Sequence, residues 1–192
     1  MTHAFRIHRT GGPEVLSWEQ VEVPAPAAGE ATIRHHAVGL NFIDTYHRTG
    51  LYPLPLPSGI GLEGAGVVEA IGEGVNEVRV GDRVAYAGGP VGAYAEVRNI
   101  PAHRLLVLPD SISFNTAAAM MLQGLTAAYL LRRTYRVQPG DAVLIHAAAG
   151  GVGLIACQWA KALGATVIGT VGSAAKGELA RAHGCDHVIN YS

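Results

Sequence analysis

The hydrophobic and polar positions follow two different patterns along this chain, and the change falls near Ser113. Before that point, short runs rich in β-branched and aromatic residues alternate with Gly and Pro, which predicts short strands joined by turns. The clearest of these runs are ATIRHHAV, GAGVVEAIG and DRVAYAG. The Pro-rich segments VPAPAAGE and YPLPLPSG are predicted loops, because Pro lacks the backbone donor that a sheet requires.

From Ser113 the segment SFNTAAAMMLQGLTAAYLLRR is rich in Ala, Leu and Met, which predicts a helix with Ser113 as its N-cap. Gly124 is expected to interrupt or bend this helix. From Asp141 the pattern alternates, beginning with AVLIHAA, a continuous apolar run typical of a strand covered on both faces. A segment with helical spacing follows and ends at Gly164. TVIGTV, AAKGELARAHG and HVINY then complete a β-α-β-α-β order, the first half of a doubly wound α/β nucleotide-binding fold.

The turn HAAAGGVG joins the first of these strands to its helix. Its spacing is that of the dinucleotide pattern Gly-x-Gly-x-x-Gly, with Ala148 at the first position, Gly150 at the second and Gly153 at the third. Gly150 would let the backbone approach the phosphates, and Gly153 would let helix and strand pack closely. Ala148 fits if its φ stays negative. Because a helix N-terminus favours negative charge, the turn predicts a pyrophosphate site.

The end of the second strand decides between the two nicotinamide cofactors. NAD sites carry an Asp or Glu about 20 residues after the glycine turn, to bond the ribose 2′-hydroxyl. Here that place holds Gly172 and Ser173, and the first acid is Glu178. Ser173 and Lys176 instead supply a hydroxyl and a cation, which suit a 2′-phosphate. The pattern favours NADP, with a solvated lysine in the first helical turn as the alternative interpretation of Lys176.

Composition excludes several classes of partner. The chain is 49% hydrophobic and only 15% charged, below the roughly 25% typical of soluble domains, which indicates buried contacts between domains or subunits. The net charge of −1 predicts no nucleic acid and no anionic membrane as partner. The chain has no apolar run of membrane-spanning length and no signal-peptide core. With only Cys157 and Cys185 as cysteines, the protein is expected in a reducing cytoplasm.

Nine histidines raise the question of a metal site, but their spacing does not support one. The chain has no Cys-x-x-Cys and no His-x-x-x-His on one helix face, and the adjacent His35 and His36 would point to opposite sides of a strand. His146, beside the glycine turn, is predicted to pack rather than to catalyse. No Ser-His-Asp or paired-carboxylate arrangement stands out, and the Tyr-x-x-x-Lys of short-chain dehydrogenases is absent.

Longer segments resemble a known family. NFIDTYHRTGLYP, GxEGAGVVEAIGEGV, GDRVAYAGGPVGAYAE, HAAAGGVGLIACQWAKALGA and VINY occur in this order, and the chain resembles over essentially its whole length the quinone oxidoreductases of the zinc-free medium-chain dehydrogenase/reductase superfamily. In zinc-dependent relatives a cysteine occupies the position of Asn41, a histidine occupies that of Leu62, and a cysteine cluster binds a structural zinc. This chain lacks all of these, so the resemblance implies a zinc-free protein.

The resemblance implies a GroES-like β-rich catalytic domain over residues 1–122, followed by the first half of a Rossmann NADP-binding domain over residues 123–192, with the active site in the cleft between them. Family members are longer, so this chain is expected to be an N-terminal fragment or to be completed by a partner. The AVLIHAA strand would then lack a neighbour on one edge, which is an aggregation hazard.

The resemblance also implies the site residues. Asn41, Asp44, Tyr46 and Tyr52 are the candidates for the catalytic and substrate-flanking positions; for the two tyrosines, packing in the core or at its rim is the alternative. The candidate cofactor-binding residues are Phe42, Ile43, Thr45, Thr126, Tyr129, Gly150, Gly151, Val152, Gly153, Gly172, Ser173, Ala174, Ala175, Lys176 and Tyr191.

The function that the resemblance implies is reduction of a small-molecule quinone by NADPH, carried out by a cytoplasmic homodimer. This chemistry needs no strong general acid or base, because the cofactor supplies the reducing equivalents and a quinone is already an electrophile. Within this function, transfer of a hydride and transfer of single electrons both stay open. Two alternative functions stay open as well. One is reduction of activated alkenes such as enones in the same zinc-free site, and the other is a catalytically silent binding or structural protein that keeps the nucleotide site.

Overall fold

Two units divide the chain in the computed structural model, which describes all 192 residues. The first comprises Met1–Leu122 and the second Gln123–Ser192. The division falls within helix α2 (Phe114–Tyr129), whose N-terminus is capped by the Ser113 hydroxyl, which accepts a hydrogen bond from the Thr116 backbone N–H at 3.1 Å. The predicted cap of this helix is therefore confirmed.

Antiparallel strands dominate the first unit. One sheet has the order β2-β1-β4 and contains β1 (Thr2–Ile7), β2 (Ser17–Val21) and β4 (Ser58–Gly59). The other has the order β7-β3-β5-β6-β8 and contains β3 (Glu30–Gly39), β5 (Glu63–Ile71), β6 (Arg83–Ala87), β7 (Val97–Pro101) and β8 (Leu106–Val107). A single short helix, α1 (Phe42–Thr49), follows β3. The three predicted strand runs are confirmed as β3, β5 and β6.

The core of the first unit contains an unusual polar cluster beneath its apolar side chains. His35 lies next to a register shift between β3 and β5, where its Nδ1–H donates to the Ala95 carbonyl oxygen at 2.6 Å and its Nε2 lies 2.9 Å from the buried Tyr86 hydroxyl. Burial lowers the pKa of His35 to about 4, so this imidazole is neutral at pH 7. The buried Arg98 guanidinium lies over the Tyr86 ring and donates to the Pro90 carbonyl oxygen. The cluster thereby fixes the loop before β7.

Parallel strands form the second unit. Its elements are β9 (Ala142–Ile145), α3 (Gly151–Ala162), β10 (Thr166–Val171), α4 (Ala174–Ala182) and β11 (His187–Asn190). The strand order is β11-β10-β9, and both pairings are parallel. The predicted β-α-β-α-β order is confirmed. Small side chains of α3, including Cys157 and Ala160, lie fully buried in one core with Val167 of β10.

The structure corrects two sequence predictions in this part of the chain. Helix α2 continues through Gly124 without interruption, and the irregularity comes later, as a π-helical turn at Leu130–Thr134. The apolar run AVLIHAA is not covered on both faces: β9 ends at Ile145, and Ala142 and Leu144 are exposed on one face. The reason is that side chains of a strand alternate between the two faces of its sheet: Val143 and Ile145 pack against the core that contains α3, whereas Ala142 and Leu144 lie on the other face.

Each helix of the structure is either too short or too polar to cross a membrane.

We expect the 192-residue chain to self-associate through β9, because an edge strand with unpaired backbone groups and apolar side chains is a template for further pairing. Leu144, 53% exposed, lies at the centre of that surface. Leu144→Lys should therefore increase the monomer fraction in sedimentation velocity. Val80→Lys, which alters a similarly exposed apolar residue in a turn of the first unit, is the control. The expectation is wrong if the unmodified chain is monomeric at all concentrations or if both variants act equally.

Candidate functional site

The segment NFIDTY forms the beginning of α1, directly after β3. Asn41 is the N-cap residue, and the Asp44 Oδ2 atom accepts a hydrogen bond from the Asn41 backbone N–H at 2.9 Å. An Asn at the N-cap and an Asp in the first turn are the residues that a helix N-terminus favours. Both side chains are buried. The structure thus brings Asn41 and Asp44 together, but it buries both side chains away from solvent.

A buried carboxylate connects Asn41 to the rest of the first unit. Glu63, only 1% exposed, accepts hydrogen bonds from Asn41 Nδ2 at 2.6 Å and from the Leu122 backbone N–H at 2.8 Å. Burial raises the pKa of Glu63, and the hydrogen bonds from Asn41 and Leu122 oppose that shift. Gly39 leaves the space for this carboxylate, because a Cβ there would overlap Glu63 and the Ala118 carbonyl oxygen. Sequence reasoning missed Glu63, although an acid at the start of an apolar strand was a visible signal.

A second residue that sequence reasoning missed is Tyr94. Its hydroxyl donates to Asp44 Oδ2 at 2.8 Å, and its backbone N–H donates to the Ile60 carbonyl oxygen. Burial, reinforced by the Asp44 carboxylate, raises the pKa of Tyr94. The phenol therefore stays protonated and donates to Asp44. No local pattern in the sequence connects Tyr94 to a helix 50 residues away.

Aromatic side chains cover the exposed part of α1. The rings of Tyr46 and Tyr52 lie 5.2 Å apart, and Phe42 meets Tyr46 edge-on at 5.3 Å. The Tyr52 backbone N–H donates to the Tyr46 carbonyl oxygen, which fixes the chain after the helix. Phe42 and Tyr52 are exposed, whereas Ile43 and Thr45 are half-buried. We call Phe42, Tyr46 and Tyr52 the aromatic surface; such rings are suited to stacking against a flat ligand.

In the second unit, the residue of the glycine turn with a strained backbone is Ala147, one position before Ala148, with which the sequence pattern begins. Ala147 has a φ of 51°, and no other non-glycine residue has a positive φ. Ala148 is fully buried, and its N–H donates to the Thr170 carbonyl oxygen. Gly153 is in close contact with this turn, since a Cβ there would lie 2.3 Å from the Ala147 carbonyl oxygen. Gly150 is the N-cap of α3, followed by Gly151 and Val152 in its first turn.

A small cavity of about 110 Å³ joins the glycine turn to the end of β10. It is lined by Ala147, Ala149, Gly150, Val171, Gly172, Lys176 and Tyr191. Ser173 is the N-cap of α4, and its hydroxyl accepts a hydrogen bond from the Lys176 backbone N–H at 3.3 Å. Ala174 and Ala175 form the exposed start of α4. No acidic side chain lines the cavity.

Thr126 and Tyr129 lie on the last part of α2 and do not line that cavity. Tyr129 borders a different, shallow depression together with Leu125, Arg132 and Arg133. His146 places its Nδ1 3.1 Å from the Thr170 hydroxyl. No three His, Cys, Asp or Glu side chains converge in a way that could hold a metal ion.

Comparison with known proteins finds matches in both units. Residues 27–110 match the family model of the alcohol dehydrogenase GroES-like domain, and residues 151–192 match that of zinc-binding dehydrogenases. The predicted fold class, a GroES-like domain followed by the first part of a Rossmann domain, is thereby confirmed.

Quinone oxidoreductases are extensively similar to the chain. That of Pseudomonas aeruginosa is 58% identical over 183 residues, which is 95% of this chain and 56% of the relative. The structure of Escherichia coli quinone oxidoreductase complexed with NADPH has a TM-score of 0.97 and 54% identity, covering 98% of this chain and 58% of that one. A 2-haloacrylate reductase of a Burkholderia species is 49% identical over 100% of this chain and 60% of the relative. The chain thus spans less than two thirds of these proteins and corresponds to their N-terminal portion.

We expect Asn41→Ala to lower the free energy of unfolding by about 1–3 kcal/mol at pH 7, because the buried Glu63 carboxylate loses a donor. Burial raises the pKa of Glu63 above its ordinary value of 4.5. The stability that this group contributes is therefore present below pH 4.5 and is lost as the pH rises through the folded value. The cost of Asn41→Ala should accordingly shrink at low pH, where Glu63 is protonated.

Denaturant unfolding below pH 4.5 and at pH 7 tests this. Asn76→Ala, in an exposed loop where the amide donates only to the Gly74 carbonyl oxygen, is the matched control and should change little. An equal loss for Asn41→Ala at both pH values would contradict the assigned role of Glu63.

Proposed function

We propose that the protein containing this chain reduces quinones with NADPH. The observation that carries the proposal is the cavity in which the glycine turn, Lys176 and Tyr191 meet without an acidic side chain. The identity of 54% to an enzyme whose structure contains NADPH, over nearly the whole chain, supports it. We assign Met1–Leu122 as the catalytic domain and Gln123–Ser192 as part of the cofactor domain.

The residues around the cavity fit NADPH. The N–H groups in the first turn of α3 suit the pyrophosphate, and the helix dipole favours its charge. We propose Gly151, Val152 and Gly153 for this role. Gly150, whose N–H already donates to the Ala147 carbonyl oxygen, is proposed to let the backbone approach the phosphates. Lys176 forms no ion pair within the chain, and with Ser173 and Tyr191 it suits the 2′-phosphate. Gly172, Ala174 and Ala175 leave the space around that phosphate open. When bound, the cofactor supplies a hydride.

The aromatic surface suits the substrate. A quinone is flat and electron-poor, so it stacks favourably on Tyr46 and Tyr52. We assign the substrate contact to these two tyrosines. Asn41 and Asp44, both buried, act instead by holding α1 and thereby the aromatic surface in place. From the family resemblance, Phe42, Ile43, Thr45, Thr126 and Tyr129 are proposed for the nicotinamide end of the cofactor.

We further propose that the enzyme is zinc-free, cytoplasmic and homodimeric. Asn41 and Leu62 occupy the positions of two zinc ligands in zinc-dependent relatives, and Asn41 already donates to Glu63. Two buried free cysteines suit a reducing compartment. The low charge content leaves apolar surface for contacts between subunits.

Reduction of activated alkenes is the second candidate function. The 49% identity to a 2-haloacrylate reductase favours it specifically. Steady-state turnover of a quinone panel, an enone panel and 2-haloacrylate, each with NADPH, separates the candidates. Preference for quinones supports the proposal, preference for the alkenes supports the second candidate, and no turnover with NADPH binding indicates a silent nucleotide-binding protein.

Removing the proposed phosphate contacts should erode the preference for NADPH. Lys176→Ala and Ser173→Ala should each weaken NADPH binding by about 1.5–3 kcal/mol, because a charge-assisted hydrogen bond is lost, and should leave NADH affinity almost unchanged. Fluorescence titration with both cofactors measures this. Arg181→Ala removes one positive charge from the other end of α4 and should affect neither. Equal weakening of NADPH and NADH would overturn the assignment.

Activity should not depend on a metal. Prolonged dialysis against a chelator should leave quinone turnover unchanged, and elemental analysis of protein purified without added metal should find no stoichiometric zinc. The physical reason is that Asn41 and Leu62 offer no thiolate or imidazole to zinc. One tightly held zinc per chain, or recovery of lost activity on adding zinc, would show that the proposal is wrong.

A further inference from the structure

Gly151 is a glycine that the dinucleotide pattern does not require. The pattern places its residues at 148, 150 and 153, and Gly151 does not have the positive φ that favours glycine. The space around it gives the reason. A Cβ at Gly151 would overlap the Oε1 atom of Gln123 and lie 2.7 Å from its Nε2 atom. The carboxamide of Gln123 therefore packs directly against the backbone of Gly151.

The Gln123 carboxamide forms no hydrogen bond within the chain, and the residue is half-buried. A carboxamide offers two N–H donors and one oxygen acceptor. Packing against Gly151 restricts this group at the start of α3 while its polar atoms stay available. Because a polar group that is withdrawn from water without a partner costs free energy, the arrangement favours a ligand that supplies a hydrogen-bond partner.

The surroundings of Gln123 identify the part of the cofactor that would lie nearest to it. Gly151 is the first residue of α3, and the first turn of a helix has backbone N–H groups without intrahelical partners. The cavity with Lys176, proposed for the 2′-phosphate, reaches Gly150. Thr126, proposed for the nicotinamide end, follows Gln123 by three residues on α2 and shares its helix face. Gln123 thus lies between the groups proposed for the two ends of the cofactor, where its pyrophosphate is expected.

We propose that the Gln123 side chain is a further cofactor-binding group, whose Nε2 atom donates a hydrogen bond to an oxygen of the pyrophosphate. Position 151 is a glycine because a larger residue would displace this carboxamide. The inference rests on the proposed function, and it adds a side-chain donor from α2 to the backbone donors of α3. Since NADPH and NADH share the pyrophosphate, Gln123 contributes to the affinity for both, whereas Lys176 distinguishes between them.

Two substitutions of Gln123 separate the hydrogen bond from the packing. Gln123→Met keeps the length of the side chain but removes the donor. It should weaken the binding of NADPH and NADH alike by about 10-fold or more, the loss of one hydrogen bond to a charged group. Gln123→Glu keeps the shape of the carboxamide but places a negative charge beside the phosphates. It should weaken both cofactors further, and this additional loss should shrink as the ionic strength rises.

Gln158 provides the matched controls. It lies on the exposed side of α3, where its Nε2 atom donates to the Leu154 carbonyl oxygen. Gln158→Met and Gln158→Glu make the same chemical changes away from the start of the helix, so both should leave the affinity for either cofactor almost unchanged.

A third substitution tests the contact with Gly151. The three atoms nearest to a Cβ at this position all belong to the end of the flexible Gln123 side chain, so Gly151→Ala should move the carboxamide aside and leave the fold intact. It should weaken both cofactors in the protein that has Gln123 but add no further loss to Gln123→Ala, because the two changes act on one contact. Equal weakening in both backgrounds would show that the methyl group obstructs the cofactor itself, which overturns the assigned contact.

Calorimetric titration of the protein containing this chain measures these affinities and locates the contact. The ligands are NADPH, NADH and two fragments of NADPH: 2′-phospho-ADP-ribose, which has the pyrophosphate, and adenosine 2′-monophosphate, which lacks it. Gln123→Met should weaken the binding of the first fragment and leave that of the second unchanged. Thermal unfolding of each variant without ligand verifies that the fold is intact.

The outcomes distinguish the role of Gln123 from the function on which it rests. Unchanged affinity in Gln123→Met, or an equal loss for both fragments, overturns the pyrophosphate contact while quinone reduction by NADPH still stands. A loss for NADPH that NADH does not share places the contact at the 2′-phosphate and also overturns it. If the unmodified protein binds neither cofactor, the proposed function fails and the role of Gln123 fails with it.

Discussion

The hydrogen bonds of the buried Glu63 carboxylate hold together the elements of the first unit around α1. It lies at the start of β5, and it accepts from the side chain that caps α1 and from a backbone N–H of α2. Three elements that are far apart in sequence are therefore tied to one buried group. A buried carboxylate is tolerated only when donors compensate its lost hydration. The hydrogen bonds of Glu63 consequently fix the start of α1 relative to β5 and α2.

The groups proposed for function are held in place by side chains in the first unit and by backbone in the second. In the first unit, side chains support side chains: Glu63 holds Asn41, Tyr94 holds Asp44, and α1 then presents its aromatic rings. In the second unit the proposed phosphate site consists mainly of backbone, namely the N–H groups at the start of α3 and the glycine turn. A backbone site tolerates many side-chain changes, whereas each polar contact beneath α1 is specific to its partners.

Local pattern predicted the elements, and contacts over long sequence distances account for most of what it could not predict. Alternating and helical hydrophobic spacing gave the strands of both units and the β-α-β-α-β order, since these depend on neighbouring residues. The same pattern misjudged β9, because the burial of an apolar run depends on which elements cover it. Gly124 was misjudged because tertiary packing overrides the weak helix preference of one glycine.

Some residues of the candidate site could likewise be predicted from the sequence, whereas others could not. Resemblance pointed to Asn41 and Asp44 but not to their burial, which follows from Glu63 and Tyr94 at distant positions. Gly150 and Gly153 could be read directly, because their roles are local to one turn. His35 contacts Tyr86 next to a register shift between β3 and β5. The spacing of hydrophobic residues does not reveal this shift, so the polar cluster could not be predicted from the sequence.

The φ of 51° at Ala147 has a consequence for how the glycine turn meets a ligand. A non-glycine residue in this conformation costs about 1–2 kcal/mol in the folded chain, yet a methyl group in place of hydrogen also removes about 0.4–1 kcal/mol of conformational freedom from the unfolded chain. The second effect offsets only part of the first. The turn is also stiff: the Ala147 carbonyl is held by the Gly150 N–H at 2.8 Å, so the backbone beyond it is ordered by folding alone. If the proposed phosphate site is correct, alanine in this turn moves part of the entropic cost of binding into folding.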